Sequence, residues 1–327
     1  GEPARAHEAK LHKLLDQLAH SDAPIVVGPW TGEVGFELLY WIPFLAWART
    51  RWKLPESRFV IVSRGGTASW YAMPQARYVD IFSLISPEAF RAGTDPDAHK
   101  QRNVSAFDTA LVESAAARCG LGAYALLHPG VMYRNLAPFW QGEEGFGALE
   151  RLTLYRRLER DAEPPPSGLP EHYVAARFYF SDSFPDTSAN RASARTILAE
   201  TARRVPVVVV GSGLHVDDHA DLAPAAASGI TVVASEGAPE RNLAVQSAVI
   251  ARARGFIGTY GGLSYLAPFY GVPAVAFYSA RAFQLHHLHV AQWALERLGG
   301  GTVTALDVAQ GDLVAAATAG LSAAARG

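Results

Sequence analysis

Short runs of valine, isoleucine and alanine recur through the second half of the chain, and each is followed by a turn and then by a stretch of helical length. HYVAARFYF reads as a strand, SARTILAETARR as a helix, VPVVVVGSG as a strand ending in a glycine turn, and GITVVAS as another strand. LAVQSAVIARA then reads as a helix, GFIGTYGG as a strand and turn, LSYLAPFYG as a short helix, and VPAVAFYS as a strand. Strands that alternate with helices of this length form parallel βαβ units, and in such sheets ligands gather at the carboxyl ends of the strands. The first half carries the same signal more faintly, in APIVVG (23–28), RFVIVS (58–63) and a candidate strand from Tyr124 to His128.

Between the halves, DAEPPPSGLPEH sets three consecutive prolines before Gly168 and Pro170, which no helix interior or central strand accommodates. A linker there gives an N-terminal helix over 1–22, a Rossmann-like domain over 23–162 and a second over 163–327 that ends in a helix. The expected fold is therefore α/β, with two Rossmann-like domains facing a central cleft. A chain of 327 residues suits two domains of ordinary size.

Charge and cysteine content narrow the partners. A formal net charge of -2 supplies no general positive field for nucleic acid or an anionic membrane, so an acidic ligand has to be met by local arginines. The single Cys119 permits no internal disulfide or multi-cysteine metal site and fits a cytoplasmic location. The polar, helical start lacks the apolar core of a signal peptide. Gly255 to Ala280 is free of charge and long enough to span a bilayer, but its glycines and prolines divide it into strand, turn, short helix and strand, so no transmembrane segment is expected.

Several places carry the residue types that chemistry needs. In FIGTYGGLSYLAPFYG a strand runs into Tyr260, Gly261 and Gly262, and a helix opens near Leu263 or Ser264. Glycines there allow close approach of a ligand, and the free N–H groups of a first helical turn favour an anion, which together make a phosphate cradle. Arg177, after HYVAA, stands where a guanidinium could clamp a phosphate through paired hydrogen bonds. Ser212 and Gly213 form a second strand-end glycine turn, and Glu240 and Arg241 precede a helix. Asp182 and Asp186 suit turn residues better than metal ligands, and His286, His287 and His289 lack the i, i+4 spacing of a zinc helix, so no metal site is expected.

From Gly28 to Ala48, GPWTGEVGFELLYWIPFLAWA holds only two charged side chains, Glu33 and Glu37. Carboxylates set among aromatics are paired, kept at the surface, or used for chemistry. Trp30, Trp41, Trp70 and Tyr71 suit either core packing or stacking on an acceptor.

The segment Tyr260, Gly261, Gly262, Leu263, Ser264, Tyr265, Leu266, Ala267, followed by Gly271 and Pro273, resembles the diphosphate-binding segment of GT-B glycosyltransferases of the heptosyltransferase-like group, D-T-G-L-S-H-L-A before a Gly-x-Pro strand. The group's Asp and His are both tyrosine here. The resemblance implies a GT-B fold and a nucleotide-sugar donor held on the second domain. It further implies transfer to a hydroxyl-type acceptor, saccharide, peptide or small molecule, with inversion and with neither metal nor cofactor. It also implies a donor-ribose role for a carboxylate in the region of Glu240. The group's catalytic carboxylate lies in G-D-V at the first strand-to-helix turn, six residues before a proline. Gly32-Glu33-Val34 matches the triplet, whereas Glu37 matches the distance to Pro43. Glu33, at the glycine turn, is preferred as base. Two competing readings share the architecture: a sugar-nucleotide epimerase, and a nucleotide-sugar binding module without catalysis, which the replacements Tyr260 and Tyr265 keep open.

Overall fold

The computed structural model describes residues 2–94, 101–211, 220–222, 228–234, 238–279 and 285–326. The chain divides into two compact units, Gly1–Arg156 and Arg157–Gly327. The division falls ahead of the proline run, and residues 153–173 lie outside helices and strands.

In the first unit α1 (Glu2–Ala19) precedes β1 (Ile25–Val27), and a continuous helical stretch follows: α2 (Val34–Phe36), a π-helical turn (Glu37–Trp41) and α3 (Ile42–Trp52). Then come β2 (Phe59–Ser63), β3 (Arg77–Asp80), α4 (Pro87–Gly93), α5 (Ala106–Arg118), β4 (Ala125–Leu127), α6 (Gly130–Trp140) and α7 (Gly147–Leu152). The four strands pair in parallel in the order β3-β2-β1-β4, with Val26 opposite Val60 on one side and Leu126 on the other. Every residue of β1 and β2 is buried, as expected of strands covered on both faces. The edge strand β3 escapes a reading by apolar runs, because only its last two residues, Val79 and Asp80, are buried.

The second unit comprises β5 (Val174–Arg177), β6 (Tyr179–Phe180), α8 (Ser188–Ala202), β7 (Val207–Gly211), β8 (Ala220–Asp221), β9 (Ile230–Ala234) and α9 (Asn242–Arg252). It continues with β10 (Gly255–Thr259), α10 (Gly262–Phe269), β11 (Ala274–Tyr278), α11 (Leu285–Arg297), β12 (Val303–Asp307) and α12 (Gly311–Arg326). Six strands pair in parallel in the order β12-β11-β10-β5-β7-β9. Counted along the chain from β5, that is the 3-2-1-4-5-6 order of a doubly wound sheet, and the winding reverses between β5 and β10.

One expected strand is divided. HYVAARFYF leaves the six-stranded sheet after Arg177, and its end pairs antiparallel with β8, Tyr179 opposite Asp221 and Phe180 opposite Ala220. The buried Phe178 sits between the two pieces, its ring 5.9 Å from that of Phe277. The uncharged stretch from Gly255 resolves into β10, α10 and β11, and no helix among the described residues is long and apolar enough to cross a membrane.

Candidate functional site

In the second unit, Arg177 and the glycine turn come from the two strands at the reversal of winding. Gly258 lies opposite Arg177 in the ladder, and a Cβ on it would stand 2.1 Å from the Arg177 carbonyl oxygen, so this approach of strand to strand requires glycine. Beyond Thr259 the chain passes Tyr260 and Gly261 and enters α10 at Gly262. The Gly262 and Leu263 amides belong to the first turn and have no intrahelical acceptor. Leu263 itself is buried, so its backbone is what it can present to a ligand. Ser264 is buried too, and its hydroxyl is engaged within the turn: it donates to the Gly261 carbonyl at 2.6 Å and accepts from the Gly261 amide at 3.1 Å. The turn is thereby held in one shape. A Cβ at Gly261 would come within 1.9 Å of the Tyr179 hydroxyl oxygen.

The guanidinium of Arg177 is braced on two sides. Nη1 donates to Gln246 Oε1 at 2.6 Å, while Nη2 and Nε reach Asp221 Oδ1 at 3.0 and 3.3 Å. Gln246 is oriented in turn by its own bond to Asn242 Oδ1 at 2.8 Å. These partners lie 44 and 69 residues from Arg177 along the chain, a separation that local patterns do not bridge. Glu240 and Arg241 are exposed in the 3₁₀ turn Pro239–Arg241 ahead of α9. Ser212 and Gly213 lie outside the described residues. Asp186 forms a two-bond ion pair with Arg191, at 2.6 Å for each contact.

The tyrosines that stand in place of the Asp and His of the heptosyltransferase-like pattern are both buried and meet edge to face, and the Tyr265 hydroxyl donates to that of Tyr260. Burial pushes the Tyr260 phenol up to about 12, so it stays protonated at neutral pH.

In the first unit, Glu33 and Glu37 occupy opposite environments one helical turn apart. Glu33 caps α2 in an extended conformation, with its side chain exposed; its carbonyl accepts from the Glu37 amide at 3.1 Å and from Trp30 Nε1 at 3.3 Å. Glu37 opens the π-helical turn and is fully buried. Its Oε1 accepts from Ser63 Oγ and from the Tyr71 hydroxyl, both at 2.6 Å, whereas Oε2 has no hydrogen-bond partner among the described residues. Burial pushes the Glu37 carboxyl up to about 7, against the pull of the Arg64 guanidinium and of the two hydroxyl bonds. Glu37 thus ties the helix to the end of β2 and to the turn Thr67–Tyr71, not to the 28–33 loop.

That loop has a different anchor, which the sequence reading missed. Gln101 Oε1 accepts from the Thr31 amide at 3.1 Å, and its Nε2 donates to the Pro29 carbonyl at 2.8 Å and to Asp108 Oδ1 at 3.1 Å. His128, just after β4, places Nε2 3.3 Å from Asp108 Oδ2, within ion-pair distance but outside hydrogen-bond geometry, and accepts from the Gly130 amide on Nδ1. Burial works to raise the Asp108 pKa, but the neighbouring His128 ring and the bonds from Ser105 outweigh it and hold the carboxyl below its ordinary range. Trp30, Trp41, Trp70 and Tyr71 are all buried, Trp30 and Trp41 stacked with centroids 6.1 Å apart, and serve as core.

No family model and no curated protein matches the sequence. Among solved structures the chain is similar to E. coli heptosyltransferase WaaC with ADP, at 15% identity and a TM-score of 0.46, covering 92% of this chain and 99% of that one. It is also similar to a glycosyl transferase of family 9 from Veillonella parvula, at 13% identity and a TM-score of 0.42, covering 88% of this chain and 86% of that one. A third is the dodecameric iron-containing heptosyltransferase TibC in complex with ADP-D-beta-D-heptose, at 16% identity and a TM-score of 0.42, covering 79% of this chain. The chain spans 59% of the length of TibC.

Proposed function

We propose that the protein is a nucleotide-sugar-dependent glycosyltransferase of GT-B type that moves a sugar to a hydroxyl acceptor with inversion and without a metal. The observation that carries this reading is the position of Arg177 and of the Gly261–Ser264 turn on β5 and β10, the strands between which a 3-2-1-4-5-6 sheet binds nucleotides. The donor diphosphate lies against the Gly262 and Leu263 amides, where the helix N-terminus favours negative charge, with Arg177 alongside. Tyr260 walls the turn, and Glu240 and Arg241, at the start of α9, approach the donor ribose.

In the first unit Glu33 is the base, because its carboxylate is exposed while that of Glu37 is closed off. A general base must come within hydrogen-bond reach of the proton that it takes. Glu33 accepts the acceptor's hydroxyl proton as the acceptor oxygen forms its bond to the anomeric carbon. The bond from that carbon to the diphosphate breaks with its electron pair on the phosphate oxygen, and the amides and Arg177 meet that charge. Neither nucleic acid nor a cofactor takes part, and the reaction belongs to the cytoplasm, in keeping with the single cysteine.

The buried Tyr260–Tyr265 pair favours one alternative, a module that binds a nucleotide sugar without turning it over. Thermal unfolding with nucleoside diphosphates and nucleotide sugars, followed by a turnover assay over a panel of saccharide acceptors, separates the readings. A ligand at a hundred times its Kd stabilises by about 2.7 kcal/mol. Stabilisation with turnover supports the transferase, stabilisation without turnover supports the module, and no stabilisation by any nucleotide overturns both.

A further inference from the structure

A carboxyl group with no exposure to water can titrate only if a proton has a way in, and in Glu37 Oε2 has no hydrogen-bond partner among the described residues to provide one. Oε1 does. Ser63 Oγ lies 2.6 Å from it; Thr67 Oγ1 lies 3.2 Å from Ser63 Oγ; the Tyr78 hydroxyl lies 3.2 Å from Thr67 Oγ1; and Asp80 Oδ2 lies 3.1 Å from the Tyr78 hydroxyl. Glu37, Ser63 and Thr67 have no exposure, Tyr78 is half-buried, and the terminal Asp80, though buried, is 8% exposed, so the line leads from a carboxyl closed to water to one at the edge of it.

From these contacts we infer that Ser63, Thr67 and Tyr78 form a proton path by which the buried Glu37 exchanges its proton at Asp80. The donors in the structure fit both of its resting ends. Ser63 donates to Glu37, Thr67 to Ser63, and Tyr78 to Asp80, which is the arrangement with both carboxylates ionised; the Thr67–Tyr78 contact is then the place where the two halves meet, each hydroxyl proton being used elsewhere. When Glu37 holds the proton on Oε1, each hydroxyl turns to donate toward Asp80. One hop at each link then moves a single charge: Glu37 loses its proton to Ser63, Ser63 to Thr67, Thr67 to Tyr78, and Tyr78 to Asp80. Every hydroxyl ends with one hydrogen, Glu37 ends ionised and Asp80 ends protonated.

Other ionisable groups also face Glu37. Arg64 favours its charged form, Asp80 its neutral form, and Tyr71 donates to it. Burial pushes the phenols of Tyr71 and Tyr78 well up, so both keep their protons at neutral pH and Tyr78 relays without ionising at rest. Tyr71 reaches the same oxygen of Glu37 and neighbours Ser63, so it stands at the Glu37 end of the line and carries nothing onward from Thr67 to Asp80, which makes it the control.

The test follows the carboxyl itself and needs no substrate. After a pH jump from above to below neutrality, time-resolved infrared spectroscopy on the full chain records the protonated carboxyl band of Glu37, assigned by its loss in Glu37→Gln. Thr67→Val and Tyr78→Phe each interrupt the path at a different link, so at least one intact variant remains if the other misfolds. Proton uptake at least tenfold slower than wild type in each folded variant, with Tyr71→Phe at the wild-type rate, is the expected result. Uptake at the wild-type rate in a folded Thr67→Val or Tyr78→Phe overturns the path, and equal slowing by Tyr71→Phe overturns it as well, because general disturbance of the carboxyl would then account for the effect.

Discussion

The hydroxyl of Tyr265 donates to that of Tyr260, and the two rings meet edge to face beneath the glycine turn that opens α10. A pair of buried phenols can satisfy one another here, where either phenol facing an apolar neighbour would leave a polar atom without a partner. Tyr265→Phe is expected to cost about 1 kcal/mol in denaturant unfolding, and Tyr260→Phe a similar amount. The double variant should cost less than the sum, since one hydrogen bond is shared. Fully additive costs would show that the two hydroxyls act independently.

Gly261→Ala sets a methyl group against the Tyr179 hydroxyl, which the Cβ would meet at 1.9 Å. The expected loss is about 1–3 kcal/mol of stability. Adding Tyr179→Phe removes the obstructing oxygen and should recover part of that loss. If Gly261→Ala is as stable as wild type, Tyr179 moves freely and the turn is not held as described.

Gly262→Val places a branched side chain at the first position of α10 and is expected to abolish binding of nucleoside diphosphates while the protein stays folded, measured by calorimetry. Unchanged affinity would remove the turn from the donor site.

Glu37 gives stability a pH dependence whose sign is fixed. Its folded pKa of about 7 lies above the ordinary carboxyl value of 4.5, so the native state binds the extra proton between those two values. The native state is therefore favoured at the acid end of that window, and the advantage is lost as pH rises through about 7. The stability of Glu37→Gln relative to wild type should rise by about 3 kcal/mol from the bottom of that window to the top. A difference that does not change with pH would mean that Glu37 is already ionised throughout.

Much of the second unit was legible in the sequence because its strands are short, wholly apolar and separated by helices, as in VPVVVVG and VPAVAFY. The Gly261–Ser264 turn was legible for the same reason. β3 was not, since Arg77 and Tyr78 hide an edge strand behind polar side chains. The partners of the site residues were hidden too: Ser63 and Tyr71 lie 26 and 34 residues from Glu37, and Gln101 lies 70 residues from Thr31. Such bonds follow from strand order, which local periodicity does not encode. The aromatic run around Trp30 and Trp41 illustrates the reverse case, in which a composition suited to stacking on a ligand is used up by the core.

Turnover of the nucleotide sugar by Glu33→Gln and Glu37→Gln, assayed side by side with the acceptor that the saccharide panel identifies, bears most directly on the proposed chemistry. Glutamine at 33 keeps the shape and removes the basic oxygen, so kcat should fall by about a hundredfold or more with donor Kd unchanged, while Glu37→Gln retains most of its rate. Full activity in Glu33→Gln together with a stable, inactive Glu37→Gln would contradict the assignment and place the base at the buried carboxyl.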